Sequence, residues 1–486
     1  MKKLFLVVGL FVLAILLVAV ARAVLLKPTP IAAVAVTPVA LDEDGAVKRF
    51  IGAIQIPTES TFQQAPDAVA MKRMRDYLEQ SFPRVHATMQ REVLPDGALL
   101  FTWKGRDPNL APALLMGHMD VVGVPAEDLP KWKHAPYSGD VADGFIWGRG
   151  TLDDKIQVLS ELEAAETLIG RGFTPPRTIL FAFGDDEENG GSYGAVNIVK
   201  LLQTRNVHPD FVLDEGGAVI SGAIPGLAQP LAVIGVAEKG FLDLDLSTTG
   251  VGGHSSEPPA HTAIGELSAG IAHLEAHPFP ASIPEVEKEQ YATIAPYLPF
   301  TKRLVLGNLW LFSRLIVHEG LKDPKMAGSF RTTTAVDMIS GGFKDNALPP
   351  SAHATVNFRI QPGETVGSVI ERVRREINDP GVIVSASTPS ARRDPSPLSP
   401  IDSNSYRALE TTIHQMFPQA VVSPYLITAA TDASHYSVLT PNVYRFMAVE
   451  ADLSVLGMIH GLNERIAPEK YLKAVQFTVQ LIQNIR

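Results

Sequence analysis

The apolar and polar positions of this chain fall into distinct regimes. After Met1-Lys2-Lys3 an unbroken apolar run covers residues 4–21, is stopped by Arg22 and resumes over 23–26. At about 1.5 Å per residue such a run approaches the thickness of a bilayer core, and the leading lysines favour the cytoplasmic side. It reads as an uncleaved membrane anchor, with a signal peptide cut at Ala19-Val20-Ala21 as the alternative. Residues 27–41, carrying Pro28, Pro30 and Pro38, read as an extended tether.

From Asp42 to about Lys239, helical and strand periods alternate. Helices are expected near 46–54 and 66–80 and over 155–170, and strands over 99–103, 112–116, 178–183 and 211–213. This alternation predicts an α/β sheet with helices on both faces, an arrangement in which ligands collect at strand carboxyl ends. At Phe241 the period becomes strictly two, Phe241-Leu242-Asp243-Leu244-Asp245-Leu246-Ser247, as in a half-exposed strand of an antiparallel unit. A second alternating strand over 354–360, a helix over 366–377 and a strand over 382–386 complete that unit. Residues 387–403, rich in Ser and Pro, read as a connector back to the first sheet, and a helix near 468–485 ends the chain. The expected organisation is anchor or signal peptide 1–26, tether 27–41, catalytic domain 42–240, inserted smaller α+β lid or dimerisation domain 241–388, and the rest of the catalytic domain 389–486.

Composition adds exclusions. With 486 residues, 46% of them hydrophobic, the chain is globular and long enough for substantial cores. A net charge of -10 with no sustained basic run argues against a nucleic-acid partner. The absence of cysteine removes disulfides and thiolate chemistry, so any metal must be held by His, Asp and Glu.

Polar clusters interrupt the apolar runs at strand ends and at one helix start. They are Gly117-His118-Met119-Asp120, Gly148-Arg149-Gly150-Thr151-Leu152-Asp153-Asp154-Lys155, Asp185-Asp186-Glu187-Glu188 and Asp214-Glu215-Gly216-Gly217. Residues two apart in extended chain face the same way, so Asp120 is spaced to orient His118. Acids at a helix start also serve as caps, and consecutive carboxylates repel unless water or a cation lies among them. Each cluster alone has an ordinary structural explanation. Their succession in a cysteine-free chain points to a metal site.

In this order and spacing the clusters resemble the metallopeptidase family of aminoacylase, carnosinase, glutamate carboxypeptidase and carboxypeptidase S, over nearly all of the chain from about Asp42. The resemblance implies two zinc ions. By it His118 binds one ion, Asp120 orients that histidine, Asp153 bridges, Glu187 is the general base, and Glu188 and His460 bind the other ion. The remaining ligand falls at Asp214 or Glu215. His254 would stabilise the oxyanion, from the partner chain in dimeric members, and Asn346 and Arg359 would grip a substrate carboxylate, while His435 is expected to be structural. The insertion 285–341, with its apolar stretch 304–312, is most similar to the carboxypeptidase S subgroup and the secreted N-acyl-amino-acid synthase/hydrolase. That stretch reads as core, with an acyl pocket or membrane-facing lid as the alternative. The implied activity is cleavage of an amide or peptide bond next to a free carboxylate, as a carboxypeptidase. N-acyl-amino-acid hydrolysis is the alternative, and a non-catalytic metal-binding module the minor one. The implied partners are a small peptide or N-acyl amino acid, a membrane at the N-terminus and a second copy in a homodimer. The body is expected outside the cytoplasm, anchored, or secreted after signal cleavage.

Overall fold

The computed structural model describes residues 1–28, 34–60, 67–387 and 392–485. A ten-stranded sheet runs, in spatial order, Gln90–Val93, Leu99–Trp103, Ile179–Gly184, Ala113–His118, Phe211–Asp214, Val443–Arg445, Leu231–Glu238, Val219–Ile220 and Glu450–Ala451, with Val421–Ile427 also paired on Leu231–Glu238. Ala113–His118 is parallel to both of its neighbours. Register sets His118 opposite Gly184 and Leu115 opposite Leu213, so the three polar clusters emerge at one edge.

The period of two sorts these strands between two cores. Leu115, Phe181, Phe183 and Leu213 pack on one face with the helices Lys155–Gly170, Asn404–Met416 and Pro468–Asn484. Leu114, Met116, Leu180, Ala182 and Val212 pack on the other with the helix Gly194–Thr204 and the turn Asp432–Val438. Helices thus cover both faces, as the alternation predicts. The three central strands run one or two residues past their expected ends, because the ladder continues through Gly117–His118, Gly184 and Asp214. The helix expected near 46–54 starts earlier, at Glu43, where Asp42 accepts a hydrogen bond from Gly45 N. The helix expected over 66–80 spans Ala68–Ser81 with an Asp67 cap, and residue 66 lies outside the described residues.

A second, antiparallel sheet orders Thr333–Gly341, Ser351–Ile360, Gly240–Thr249 and Val382–Ala386. Leu242, Leu244 and Leu246 face inward against Val369, Val373 and Ile377 of the helix Val366–Ile377. Within the expected connector Arg392–Arg393 pairs with Phe241–Leu242, and residues 388–391 lie outside the described ones. The apolar stretch 304–312 is divided between the helices Phe300–Leu306 and Leu309–Gly320, which break at Gly307-Asn308. Of the expected tether 27–41, residues 29–33 lie outside the described ones, and residues 35–40 run along the body: Thr37 N donates to Gln480 Oε1 at 3.1 Å, Gln415 Nε2 to Ala35 O at 2.6 Å, and Arg171 to Ala40 O at 2.8 Å.

Candidate metal centre

The strand Ala113–His118 delivers His118 to the sheet edge, fully buried. Its Nδ1 lies 3.0 Å from the Asp120 main-chain oxygen and 3.4 Å from Asp120 Oδ1, which leaves Nε2 pointing away from the strand. The Asp120 carboxylate does more than orient that ring. It accepts from Ser60 Oγ at 2.7 Å and from the backbone N–H groups of Glu187 and Glu188, both at 3.2 Å, fixing the turn that carries the two glutamates.

Asp153 lies between two imidazoles. Its Oδ1 is 3.0 Å from His118 Nε2 and its Oδ2 is 3.0 Å from His460 Nε2. His460 Nε2 is also 3.2 Å from Glu188 Oε2, and the other Glu188 oxygen accepts from Val122 N at 3.0 Å. Ligand atoms of His118, Asp153 and Glu188 lie within 4.8 Å of one another. Glu187 is set back, its Oε2 4.0 Å from His118 Nε2. The chain therefore gathers residues more than three hundred positions apart around one carboxylate.

The paired positions 214 and 215 diverge. Asp214 is buried in the strand and accepts from Ala433 N at 2.8 Å. Glu215 follows the strand end, and after burial the charge that raises its carboxyl most is Asp153. Asp214 thus faces the 432–438 turn, and Glu215 lies within the electrostatic reach of Asp153.

Charge in the cluster is badly balanced without a cation. Burial and neighbouring carboxylates hold Glu187 and Glu215 well above the ordinary range, although His118 opposes the shift on both. Burial alone would raise Asp153, but hydrogen bonds from His118 and His460 keep it low. His460 is pushed up to about 10 by its bonds to Asp153 and Glu188. Burial depresses His118, yet hydrogen bonds to Asp120 and Asp153 carry it well above its usual value. The imidazoles therefore take up the positive charge that the carboxylates demand. A carboxylate with one oxygen toward each of two nitrogen donors, flanked by Glu188 and Glu215, fits a pair of divalent cations.

Side chains outside the expected set hold these groups. Arg149 Nη1 pairs with Glu464 Oε2 at 2.6 Å, and Glu464 Oε1 accepts from Gly150 N and Leu152 N at 3.0 and 2.8 Å. This buried clamp ties the Asp153 loop to the His460 loop, where His460 itself has φ +57. Burial pushes Glu464 up to about 7 against the pull of Arg149. Behind the sheet edge, Glu238 pairs with Arg445 at 2.5 Å and accepts from Thr431 Oγ1 at 2.6 Å, positioning Asp432. Gly191 has φ +62, and a Cβ there would sit 1.8 Å from Asp432 Oδ1. Only glycine suits this approach. Arg445 did carry a sequence signal, a lone charge in an apolar strand, and Glu464 another, four residues after His460.

The remaining expected residues are spread over a separate two-stranded pairing, the second sheet and the 432–438 turn. His254 is exposed on the short pairing of Gly253–His254 with Ala347–Leu348, its Nδ1 2.7 Å from Ser256 Oγ. Ser255 N donates to Asn346 O at 3.2 Å, so His254 and Asn346 are neighbours. Arg359 lies 4.8 Å from the centre of the Phe241 ring. Burial, then Arg393, lowers its pKa, and Arg359 in turn helps lower Lys239 to about 8 after burial. His435 Nε2 is 3.1 Å from Gly190 O and so braces the acidic turn.

The sequence pattern described as peptidase family M20/M25/M40 matches residues 114–484. A carboxypeptidase S-like protein of Dictyostelium discoideum is 40% identical over 414 residues, 85% of this chain and 79% of that protein. An N-fatty-acyl-amino acid synthase/hydrolase of Xenopus tropicalis is 40% identical over 442 residues, 90% of this chain and 85% of that one. Among solved structures, an M20 family metallo-carboxypeptidase from Sulfolobus solfataricus superposes with a TM-score of 0.68 at 17% identity, covering 90% of this chain and 99% of its own.

Proposed function

Because the chain belongs to peptidase family M20/M25/M40, we propose that its cluster of histidines and carboxylates, buried at His118 and open to solvent at His460, holds two zinc ions and that it cleaves an amide or peptide bond next to a free carboxylate, as a carboxypeptidase. The observation that carries this reading is Asp153, with one oxygen 3.0 Å from His118 Nε2 and the other 3.0 Å from His460 Nε2. His118 and Glu215 would hold one ion, Glu188 and His460 the other, with Asp153 shared. When bound, such ions supply an activated water and a polarised carbonyl.

The protein's own groups divide the remaining work. Glu187, half-buried and with a raised carboxyl, stands off the histidines that flank Asp153 and would take a proton from the attacking water. It would then deliver that proton to the leaving nitrogen. Asp120 holds the Glu187 and Glu188 amides and keeps the two carboxylates in different roles. Arg359, crowded by Arg393 and near Lys239, offers a concentration of positive charge for the substrate carboxylate, with Asn346 as a second contact. His254 is assigned to the developing oxyanion. The N-terminal helix is read as an uncleaved anchor that holds the body outside the cytoplasm.

A second reading, hydrolysis of N-acyl amino acids, is favoured by the Xenopus tropicalis relative, an N-fatty-acyl-amino acid synthase/hydrolase. One purified preparation assayed on a dipeptide series and on N-fatty-acyl amino acids separates the two. Turnover of dipeptides alone supports the first, and turnover of the acyl series alone replaces it. Glu187→Gln should lower kcat by about 10² to 10⁴-fold with metal content unchanged. An active Glu187→Gln enzyme would refute the assignment of the base.

A further inference from the structure

The helices Phe300–Leu306 and Leu309–Gly320 carry a surface that the hydrolytic reading leaves unused. They meet at Asn308, which is completely buried. Its Nδ2 donates to Ala19 O of the N-terminal helix at 3.0 Å and to Leu304 O at 2.8 Å. Arg303 Nη1 donates to Leu26 O at 3.1 Å. Ala19 and Ala23, one turn apart, are the buried residues of that helix, so this contact seats its last turns on the body. A helix merely tethered by its sequence would have no such seat.

The contact also fixes a depth. If residues 4–21 cross the hydrocarbon core, Arg22 marks the outer boundary. Ala19 lies three residues earlier, about 4.5 Å along the axis. Asn308 is therefore held at the outer edge of the hydrocarbon, and the exposed side chains beside it must meet lipid. Trp310 is 54% exposed and Leu315 48% exposed, with exposed Arg314 next to Leu315. The Trp310 indole N–H donates to Asn308 Oδ1 at 3.2 Å, so its polar atom is satisfied while its ring stays free. The same side of the helix also exposes His318 and Glu319, so an aromatic ring and a leucine stand among charged groups, a mixture suited to the headgroup level of a bilayer rather than to its hydrocarbon centre.

We infer that the exposed half of the helix Leu309–Gly320, bounded by Trp310 and by Leu315 about 140° round the axis, sits in the outer leaflet of the bilayer that the N-terminal helix spans, so that two contacts hold the body against the membrane. The inference rests on the anchor reading and is independent of the hydrolytic chemistry.

The chain has no cysteine, so one introduced thiol gives one label. Full-length Leu315→Cys, Val69→Cys and Val438→Cys proteins, in phosphatidylcholine vesicles, would be reacted with a membrane-impermeant maleimide; Val69 and Val438 are 77% and 63% exposed. The Leu315→Cys thiol should react about tenfold or more slowly than the two references. The fluorescence lost in Trp310→Phe should be quenched by lipids brominated near the headgroup. Equal labelling at all three positions, with protein still floating with the vesicles, overturns the inference and leaves the anchor standing. Protection at 315 without bromolipid quenching also overturns it, because a protein surface then covers this face. Protein that does not float with vesicles removes the anchor and the inference together, while dipeptide turnover still judges the hydrolase.

Discussion

At the scale of the residue, neighbouring carboxylates of one acidic run have separate fates. Glu188 touches His460, Glu187 stands back, Asp186 caps a turn by accepting from Tyr193 N and Gly194 N, and Asp185 is buried with Oδ1 unpaired. Burial, then Asp186, Asp96 and Asp120, pushes Asp185 up to about 8. A carboxyl raised in the folded state contributes stability that is full below its unfolded value and is lost as pH rises through the folded one. For Asp185 that window runs from 3.8 to about 8. Asp185→Asn should therefore be more stable than the parent at pH 8 by about 1–3 kcal/mol, with the gap narrowing steadily toward pH 5. Urea unfolding at several pH values measures it, and a gap that does not change with pH would remove the ionisation argument.

At the scale of the element, the site depends on two loops that come from distant parts of the chain. Glu464 closes them, accepting from Arg149, Gly150 N and Leu152 N in a dry setting. Truncation would leave the Arg149 charge buried without its partner and two amides without an acceptor. Glu464→Ala is expected to lose about 3–5 kcal/mol in denaturant unfolding and to bind fewer metal ions per chain. Glu464→Gln, which keeps an acceptor for the amides, should fall between the two proteins. The strands themselves were readable from sequence because burial on both faces gives unbroken apolar runs. The Gly307-Asn308 break was not, because Asn308 owes its burial to a partner helix nearly three hundred residues earlier.

At the scale of the whole molecule, the proposed metal site would trade protons for cations. With His460 pushed up to about 10 and His118 well above its usual value, both rings carry protons at neutral pH when no metal balances the carboxylates. Zinc binding to chelator-stripped protein at pH 7 should therefore release about one to two protons, and affinity should fall as pH falls. Calorimetry in buffers of different ionisation enthalpy counts them. Binding without proton release would mean that the histidines are not ligands.

The sequence by itself determined the doubly covered sheet, the second antiparallel unit and the identity of the polar clusters, because the periods of apolar burial and the glycine-punctuated strand ends are local properties of the chain. The tertiary structure alone separates Asp214 from Glu215, since Asp214 accepts from Ala433 N, a partner more than two hundred residues away, while the charge that most raises the Glu215 carboxyl is Asp153. It also revealed the Arg149–Glu464 clamp, the Asp120 link to Ser60 and the seating of the N-terminal helix on Asn308. Each of these is a contact between segments far apart in sequence, and such contacts exist only once the two cores have closed.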